Sequence, residues 1–457
     1  MSAPAFSGFP EDVGDAPRRV RVVLGAALAV LAIAVFLAFV TSGPQAALPL
    51  VAVAGLAFAG AVLLEYRFGV LVLPFAVLLS PEFGSGLFRI RLEDLVLPLA
   101  LLGWVVHHAS GRESWARTPV NGLMLVLLLS GLVSTSVGIL RGTIPQPPLG
   151  FFFLFKRVEY LLAFFLALQA TQDRTWGRWM VGALLLGFAV TTAVGLYQRV
   201  AFGPEFIVSG VRAGERATFG AVLVFLTGVC VGMAVVVRPW WQRLGLLAIA
   251  LMGAVPLLYT YSRGAYVGML AALAFLGLRR SRAVLAAVVL LVVFASAVLP
   301  QEVHERASSI AVVFGAPERT TQSWAARVGA WHMVAGQVLS QPLVGYGMGA
   351  LPLGWIDNEL IKELYYGGVL GLVLYALVLV GLWRMAGEVA WRGDEPWIRA
   401  FGWGFWTGFV GIMVQGVTAT TLTAIRSAGV FWLTAGVLAG LYAARGGRER
   451  EAREEKA

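Results

Sequence analysis

What most limits the fold of this chain is a succession of apolar runs, each near the ~20 residues that carry a helix across a hydrocarbon core. They occupy 20–41, 45–64, 68–80, 92–108, 119–139, 153–170, 178–198, 218–237, 244–260, 264–278, 283–299, 361–383, 400–420 and 427–443. Lipid offers no water to an open backbone, and the runs lack the alternation of a barrel strand, so a bundle of helices is the spanning form. Composition agrees: 59% of the 457 residues are hydrophobic and 13% charged, the latter about half the share of a soluble domain. The expectation is an all-α polytopic membrane protein with about 12–14 transmembrane helices, the short run 68–80 being re-entrant or joined to its neighbour. Its parts are a cytoplasmic N-terminal tail 1–19, a transmembrane bundle 20–299, a large extracytoplasmic loop 300–360, C-terminal transmembrane helices 361–443 and a charged cytoplasmic tail 444–457. No cleavable signal peptide is expected, because 1–19 is polar and the run behind it is long enough to span.

Lys and Arg near the span ends orient such a chain. Arg18, Arg19 and Arg21, the turns carrying Arg279, Arg280, Arg282 and Arg384, Arg392, Arg399, and the tail RGGREREAREEKA share one side if spans alternate. That side is read as cytoplasmic. The net charge of +10 is then loop arginine meeting anionic lipid; membrane lipids are expected partners, and no nucleic-acid motif occurs. Most of the 35 Lys and Arg residues fall inside, yet the outer side keeps more base than the rule leads one to expect. The single cysteine, Cys230, excludes an internal disulfide framework.

Two outer segments are longer than connectors need to be, 197–220 and 300–360. The second contains WAARVGAWHMVAGQVL, with Trp324, Val328, Trp331, Val334 and Val338 at helical spacing. It reads as an amphipathic helix on the outer membrane face, ended by Pro342.

The residues able to do chemistry concentrate on this outer side. In YTYSRGAYVG, Arg263 sits at a tight turn between two apolar runs. It is either a snorkelling arginine, with Gly264 relieving the backbone, or an anion site at headgroup depth. Arg212, Arg216, Arg327, Lys156 and Arg157 are singly lipid-headgroup contacts; together they suggest a cationic site for a lipid phosphate, above all a lipid diphosphate. Gly345, Gly347 and Gly349 resemble a phosphate-cradling loop, but no strand precedes them, and a tight loop against the bundle fits better. Asp357 and Asn358 cap the next span, a role that also lets a carboxylate face a substrate. Glu359 and Glu363 share a helix face and meet headgroups or pair with Lys362. His107, His108, His304 and His332 form no ligand pattern, and no HExxH or CxxC occurs, so neither a metal nor another cofactor is expected.

The stretches YSRGAYVGML and ARVGAWHMVAGQVLSQPLVGYGMG…DNELIKELYYGGVLGLVLYAL resemble the O-antigen ligase and O-antigen polymerase superfamily over roughly 210–380. The shared pattern is Ser262-Arg263-Gly264, Arg327 and Trp331, Pro342 with Gly345 and Gly347, Asp357-Asn358, then Gly368, Gly371 and Leu372. The resemblance implies a GT-C-like bundle with a long helical periplasmic loop, in a bacterial inner membrane with the active site facing the periplasm. It implies an inverting, metal-independent glycosyltransferase. The donor is an undecaprenyl-diphosphate-linked glycan, and the acceptor a second glycan or lipid A–core. Carried onto this chain, the catalytic residues are Asp357, Arg263 and Arg216, with Arg212 the alternative second phosphate ligand. Arg212, Arg327, Asn358, Tyr261, Glu363, Lys156 and Arg157 are substrate-binding. Asp357 departs from the histidine of well-studied ligases and is the weaker base near neutral pH; Asp-Asn versions look more like polymerases. The rival reading is a transporter or flippase for a lipid-linked glycan, which would place its ionisable groups near the membrane midplane.

Overall fold

The computed structural model describes residues 49, 51–80, 90–110, 115–203, 206–210, 216–294, 322–350 and 356–454. The tail 1–19, the run 20–41, Arg212 and residues 300–321, including His304, lie outside them. Among the described residues the regular elements are helices: α1 (Val51–Leu64), α2 (Arg67–Leu79), α3 (Leu92–Ala109), α4 (Asn121–Leu140), α5 (Pro147–Ala170), α6 (Arg174–Phe202), α7 (Arg216–Val236), α8 (Trp240–Leu258), α9 (Arg263–Arg279), α10 (Arg282–Val293), α11 (Gln322–Val338), α12 (Glu359–Arg392), α13 (Pro396–Gly416) and α14 (Ile425–Glu454). Seven of them, α3, α4, α6, α7, α8, α12 and α14, are long and apolar enough to cross a membrane by length and composition. The chain is therefore a multi-pass helical membrane protein. Of the other expected spans, α5 is long enough but carries Lys156, Arg157 and Glu159, and α9 and α10 are short, at 17 and 12 residues.

Two compact units divide the chain, one of Met1–Gly69 with Leu99–Glu113 and one of Val70–Pro98 with Ser114–Ala457. Within the first, α3 closes on α1 at Gly103, where a Cβ would lie 2.5 Å from the Val62 carbonyl and 3.0 Å from the Tyr66 side chain. Tyr66 meets the His107 ring edge-on at 5.7 Å, and His107 Nδ1 bonds the Gly103 carbonyl at 3.0 Å.

The second unit is built round α7 and α13. Without aqueous driving force between spans, helices gain most from close backbone approach at small residues. A Cβ on Gly228 would stand 2.8 Å from the Gly408 Cα, and one on Gly232 2.7 Å from the Gly404 Cα, so the seam exists because both sides lack side chains. Helix α9 joins α13 at Gly268 and Gly411, and α14 lies on α5 at Gly436 and Gly440. The outward faces are apolar: Leu370, Val373, Leu377 and Val380 of α12 are exposed in one helical stripe, while Leu374, Tyr375, Val378 and Leu382 behind them are buried. Such a stripe suits lipid.

Helix α12 is broken. Gly368 has φ 64° and ψ −165°, a conformation open to glycine and strained for other residues. The break frees backbone groups, and the segment after α11 takes them up. Tyr346 N donates to the Tyr365 carbonyl at 2.9 Å and Gly347 N to that of Tyr366 at 3.0 Å. In return, Val369 N donates to the Pro342 carbonyl at 2.8 Å and Leu370 N to that of Leu343 at 3.2 Å. Gly345, Gly347 and Gly349 all have positive φ. The amides of Tyr346 and Gly347 are thus consumed by α12, so this loop is a brace for the broken helix rather than a phosphate cradle.

Helix α11 forms over the expected stretch, but part of its apolar stripe faces protein. Val334 and Val338 are buried with Ile144, Met348, Ile356 and Tyr365. That replaces the expected placement of the stripe on lipid.

The far end of the unit is clasped by charge. Arg174 holds Glu395 and Asp394, each at 2.6 Å; Arg178 also reaches Glu395, and Trp397 Nε1 donates to it at 2.8 Å. Burial alone would raise the Glu395 carboxyl; hydrogen bonds from Arg178 and Trp397, with the Arg178 and Arg174 charges, outweigh it and hold the group below its ordinary value.

Candidate functional site

The opposite end is organised by one short segment, Gln415 to Thr423, running from the last turn of α13 towards α14. Its polar side chains and backbone groups tie together the starts of three helices. Gln415 Nε2 donates to the Ala217 carbonyl in the first turn of α7 at 3.0 Å. Thr418 packs against Gly264 in the first turn of α9, at a distance that a Cβ on residue 264 would forbid. Asn358, the N-cap of α12, accepts from Ile361 N at 3.0 Å and donates Nδ2 to the Val417 carbonyl at 2.9 Å. The next residue, Glu359, is fully enclosed. It accepts from Thr421 N at 2.7 Å, Leu422 N at 3.1 Å, Thr423 Oγ1 at 3.4 Å and the Tyr375 hydroxyl at 3.2 Å. Glu359 thus holds the turn, and neither meets headgroups nor pairs with Lys362.

Three helix starts at one place bring three positive dipole ends together. The first residue of α7 is Arg216, exposed; the first of α9 is Arg263, half-buried. Ser262 precedes Arg263 without a side-chain cap, and Tyr261 before it has φ 51°. A non-glycine residue with positive φ at a helix entrance is uncommon and is held only by its surroundings. Here Thr260 Oγ1 bonds the Leu257 carbonyl at 2.7 Å and receives Ser262 N at 3.3 Å, and the Tyr266 hydroxyl reaches back to the Leu258 carbonyl. The end of α6 and the segment after it are stitched to the same turn: Val208 N donates to the Tyr259 carbonyl at 3.2 Å, and the Arg199 guanidinium lies 4.0 Å over the Tyr259 ring.

Asp357 stands just outside Asn358, partly open, with Arg327 Nε of α11 at 3.1 Å from its carboxylate. Two of the sequence-derived residues, thirty positions apart, therefore meet as an ion pair. Arg157 and Glu363 meet likewise, with the Glu363 side chain 1% exposed. Lys156 belongs to a separate cluster, bonded at 2.7 Å to both Asp94 and Glu159. Because α5 starts at Pro147 rather than near 153, Lys156 and Arg157 lie within the helix, paired and shielded, and not at a lipid-headgroup margin. The sequence alone points to no role for the segment 415–423 or for the carboxylates Asp94 and Glu159. The available signal was polar character inside apolar stretches: Glu93-Asp94, Lys156-Arg157-x-Glu159, and TATT at 418–421.

No protein-family model matches the chain, and no curated protein matches it.

Proposed function

We propose that this protein is a metal-independent, inverting membrane glycosyltransferase of the O-antigen ligase and polymerase kind, with a GT-C-like bundle. In this reading it takes a glycan from undecaprenyl diphosphate and gives it to an acceptor hydroxyl, on the periplasmic face of a bacterial inner membrane. The observation that supports it is the convergence of the starts of α7, α9 and α12 on residues 415–423, with Arg216 and Arg263 as the first residues of two of them.

Such a transfer breaks the bond between the anomeric carbon and a diphosphate oxygen, and the electron pair leaves on the diphosphate. Fixed guanidinium groups and helix starts in a partly dry site stabilise that charge more than water would. Arg263 and Arg216 take that role, with Arg212 the alternative to Arg216; Tyr261 and Asn358 fix the turn and the cap beside them. The acceptor oxygen attacks from the opposite face and gives its proton to Asp357. Arg327 orients Asp357; a carboxylate is by its nature a weaker base than an imidazole, so the proton moves late, as the hydroxyl becomes acidic.

Arg263→Ala is expected to lower transfer by at least a hundredfold, the scale of losing one charge-stabilising donor, while the protein still inserts and elutes as a folded species. Transfer from a polyprenyl-diphosphate glycan in detergent measures it, and unchanged activity removes Arg263 from the mechanism. The break at Gly368 is a feature that a transporter would share. Its freed backbone groups are used by residues 342–347 rather than left for a solute, which favours the transferase. Movement of a lipid-linked glycan across liposomes without transfer would reverse that preference.

A further inference from the structure

At the end of the second unit clasped by Arg174, Asp394 and Glu395, a cavity of ≈ 710 Å³ opens between four pieces of chain. Its walls are the 115–119 segment before α4, Gln172 after α5, Glu388 of α12 and the stretch of α14 around Arg445. This volume lies in the range of roughly 300–1,000 Å³ that small-molecule sites occupy. The cavity sits where apolar helices end: α5 stops at Ala170, α4 starts at Asn121, and Leu441, one turn before Arg445, is buried. Trp115 is 46% exposed beside it, with its ring 5.7 Å from that of Phe165; an exposed tryptophan at such a level marks a membrane–water boundary. The 115–119 segment is pinned on both sides of its arginine. Ala116 is buried, its N–H donates to Gln169 Oε1 at 3.4 Å, and its carbonyl accepts from Asn121 Nδ2 at 2.8 Å; Val120 is buried too. Arg117 between them is exposed, and its guanidinium has no hydrogen bond or ion pair among the described residues. Glu388 is likewise exposed and unpaired among them. The α14 wall is bare: Gly446 and Gly447 are successive helical residues, and a Cβ at either would meet nothing within 4 Å. Glycine inside a helix costs stability relative to alanine, and no protein contact requires it here.

We propose that this cavity binds the headgroup of an anionic phospholipid of the phosphatidylglycerol type. In this placement the phosphodiester lies between Arg117 and Arg445, the acyl chains leave past Trp115, and the terminal hydroxyls of the head donate to Glu388. A guanidinium fork matches phosphate oxygens, and basic pockets between helix ends are a recurring form of lipid recognition. Two guanidiniums against one carboxylate leave one positive charge, the complement of a phosphodiester. A diphosphate would bring further negative charge up against Glu388, and a choline head brings no hydrogen for it. The bare backbone at Gly446 and Gly447 lets the head settle against α14. This site goes beyond the transferase reading and stands or falls without it.

The test is native mass spectrometry of the full chain in detergent, titrated with palmitoyl-oleoyl phosphatidylglycerol and, separately, with the matching phosphatidylcholine. The phosphatidylglycerol is expected to bind about tenfold more tightly. Arg117→Gln should weaken it about fivefold, the scale of one basic residue at an anionic lipid surface. Arg243, exposed near the start of α8 and outside the cavity, is the control; Arg243→Gln should change the affinity by less than about twofold. Gly447→Leu fills the space beside α14 and should also weaken binding about fivefold; because it favours the helix, it remains informative if another variant fails to fold. Equal affinity for the two lipids overturns the proposal. So does binding as sensitive to Arg243→Gln as to Arg117→Gln, or indifferent to both Arg117→Gln and Gly447→Leu. Glycerophosphoglycerol, the same head without its chains, separates the two sources of a phosphodiester: displacement of the lipid by an equal concentration of it overturns the proposal in favour of a site for a soluble phosphate. Arg263→Ala is expected to leave phosphatidylglycerol binding intact, since the two sites lie at opposite ends of the unit.

Discussion

Arg157 and Glu363 lie in neighbouring helices, shielded from water, and are joined as an ion pair. Removing one member of such a pair leaves an uncompensated charge and costs about 3–5 kcal/mol, whereas replacing both with apolar residues of similar size is often nearly neutral. Arg157→Met is therefore expected to lower the thermal midpoint in detergent by several degrees, and Arg157→Met with Glu363→Met to recover most of the loss. A double variant no more stable than the single one would show that the pair is not the reason both charges are tolerated. Pairings of this kind were not legible in the sequence. It shows charges inside apolar runs, at 156, 157, 159 and 363, but not that Arg157 faces α12 while its neighbour Lys156 faces α3. Adjacent residues on a helix point about 100° apart, so one dipeptide served two clusters and was read as one. Asp357 and Arg327 are each legible in the sequence, as the start and the face of a helix, while their pairing is visible only in the fold.

At the scale of elements, apolar runs found the helices but missed where they begin and break. Helix α5 begins at Pro147, where two prolines fill first-turn positions that need no N–H donor; counting apolar residues starts it a turn and a half later. Helix α12 continues through Gly368 in any hydropathy reading, and only the backbone shows the interruption. Gly368→Ala and Gly371→Ala separate these two kinds of glycine. A Cβ at 368 would meet the Leu343 carbonyl carbon at 2.5 Å and Gly345 N at 2.7 Å, on a backbone with positive φ. At 371 the nearest such atom is the Glu363 carbonyl oxygen at 3.9 Å. Gly368→Ala should detach the 342–347 brace, exposing Tyr346 to limited chymotrypsin digestion and lowering the thermal midpoint. Gly371→Ala should match the parent or gain up to about 1 kcal/mol from helix propensity. Equal behaviour of the two variants would mean that the brace does not depend on the break.

For the whole molecule the remaining question is which end faces out, and the fold removes an inconsistency in the charge rule. Counted along the sequence, the end bearing Arg263 holds more base than an external face should. Lys156 and Arg157 inflate that count: they lie inside α5 and are bound to Asp94, Glu159 and Glu363. The other end gathers the turn Arg279–Arg282, the α12–α13 connection with Arg392 and Arg399, and the last described stretch of α14, with Arg445, Arg448, Arg450 and Arg453 in its sequence. Charge in loops, not charge within spans, directs insertion, so the corrected count favours the clasped end as cytoplasmic more strongly than the raw one. Single-cysteine reporters decide it. Cys230 is buried in α7 and out of reach of a membrane-impermeant maleimide. Gln146 and Arg392 are exposed and lie at opposite ends of this unit. In intact cells Gln146→Cys is expected to label at once and Arg392→Cys only after permeabilisation. The reverse pattern would turn Arg263 and the 415–423 segment towards the cell interior. A donor lipid presented on the outer leaflet would then have no route to them, and the transferase reading in its periplasmic form would fail whatever the cavity binds.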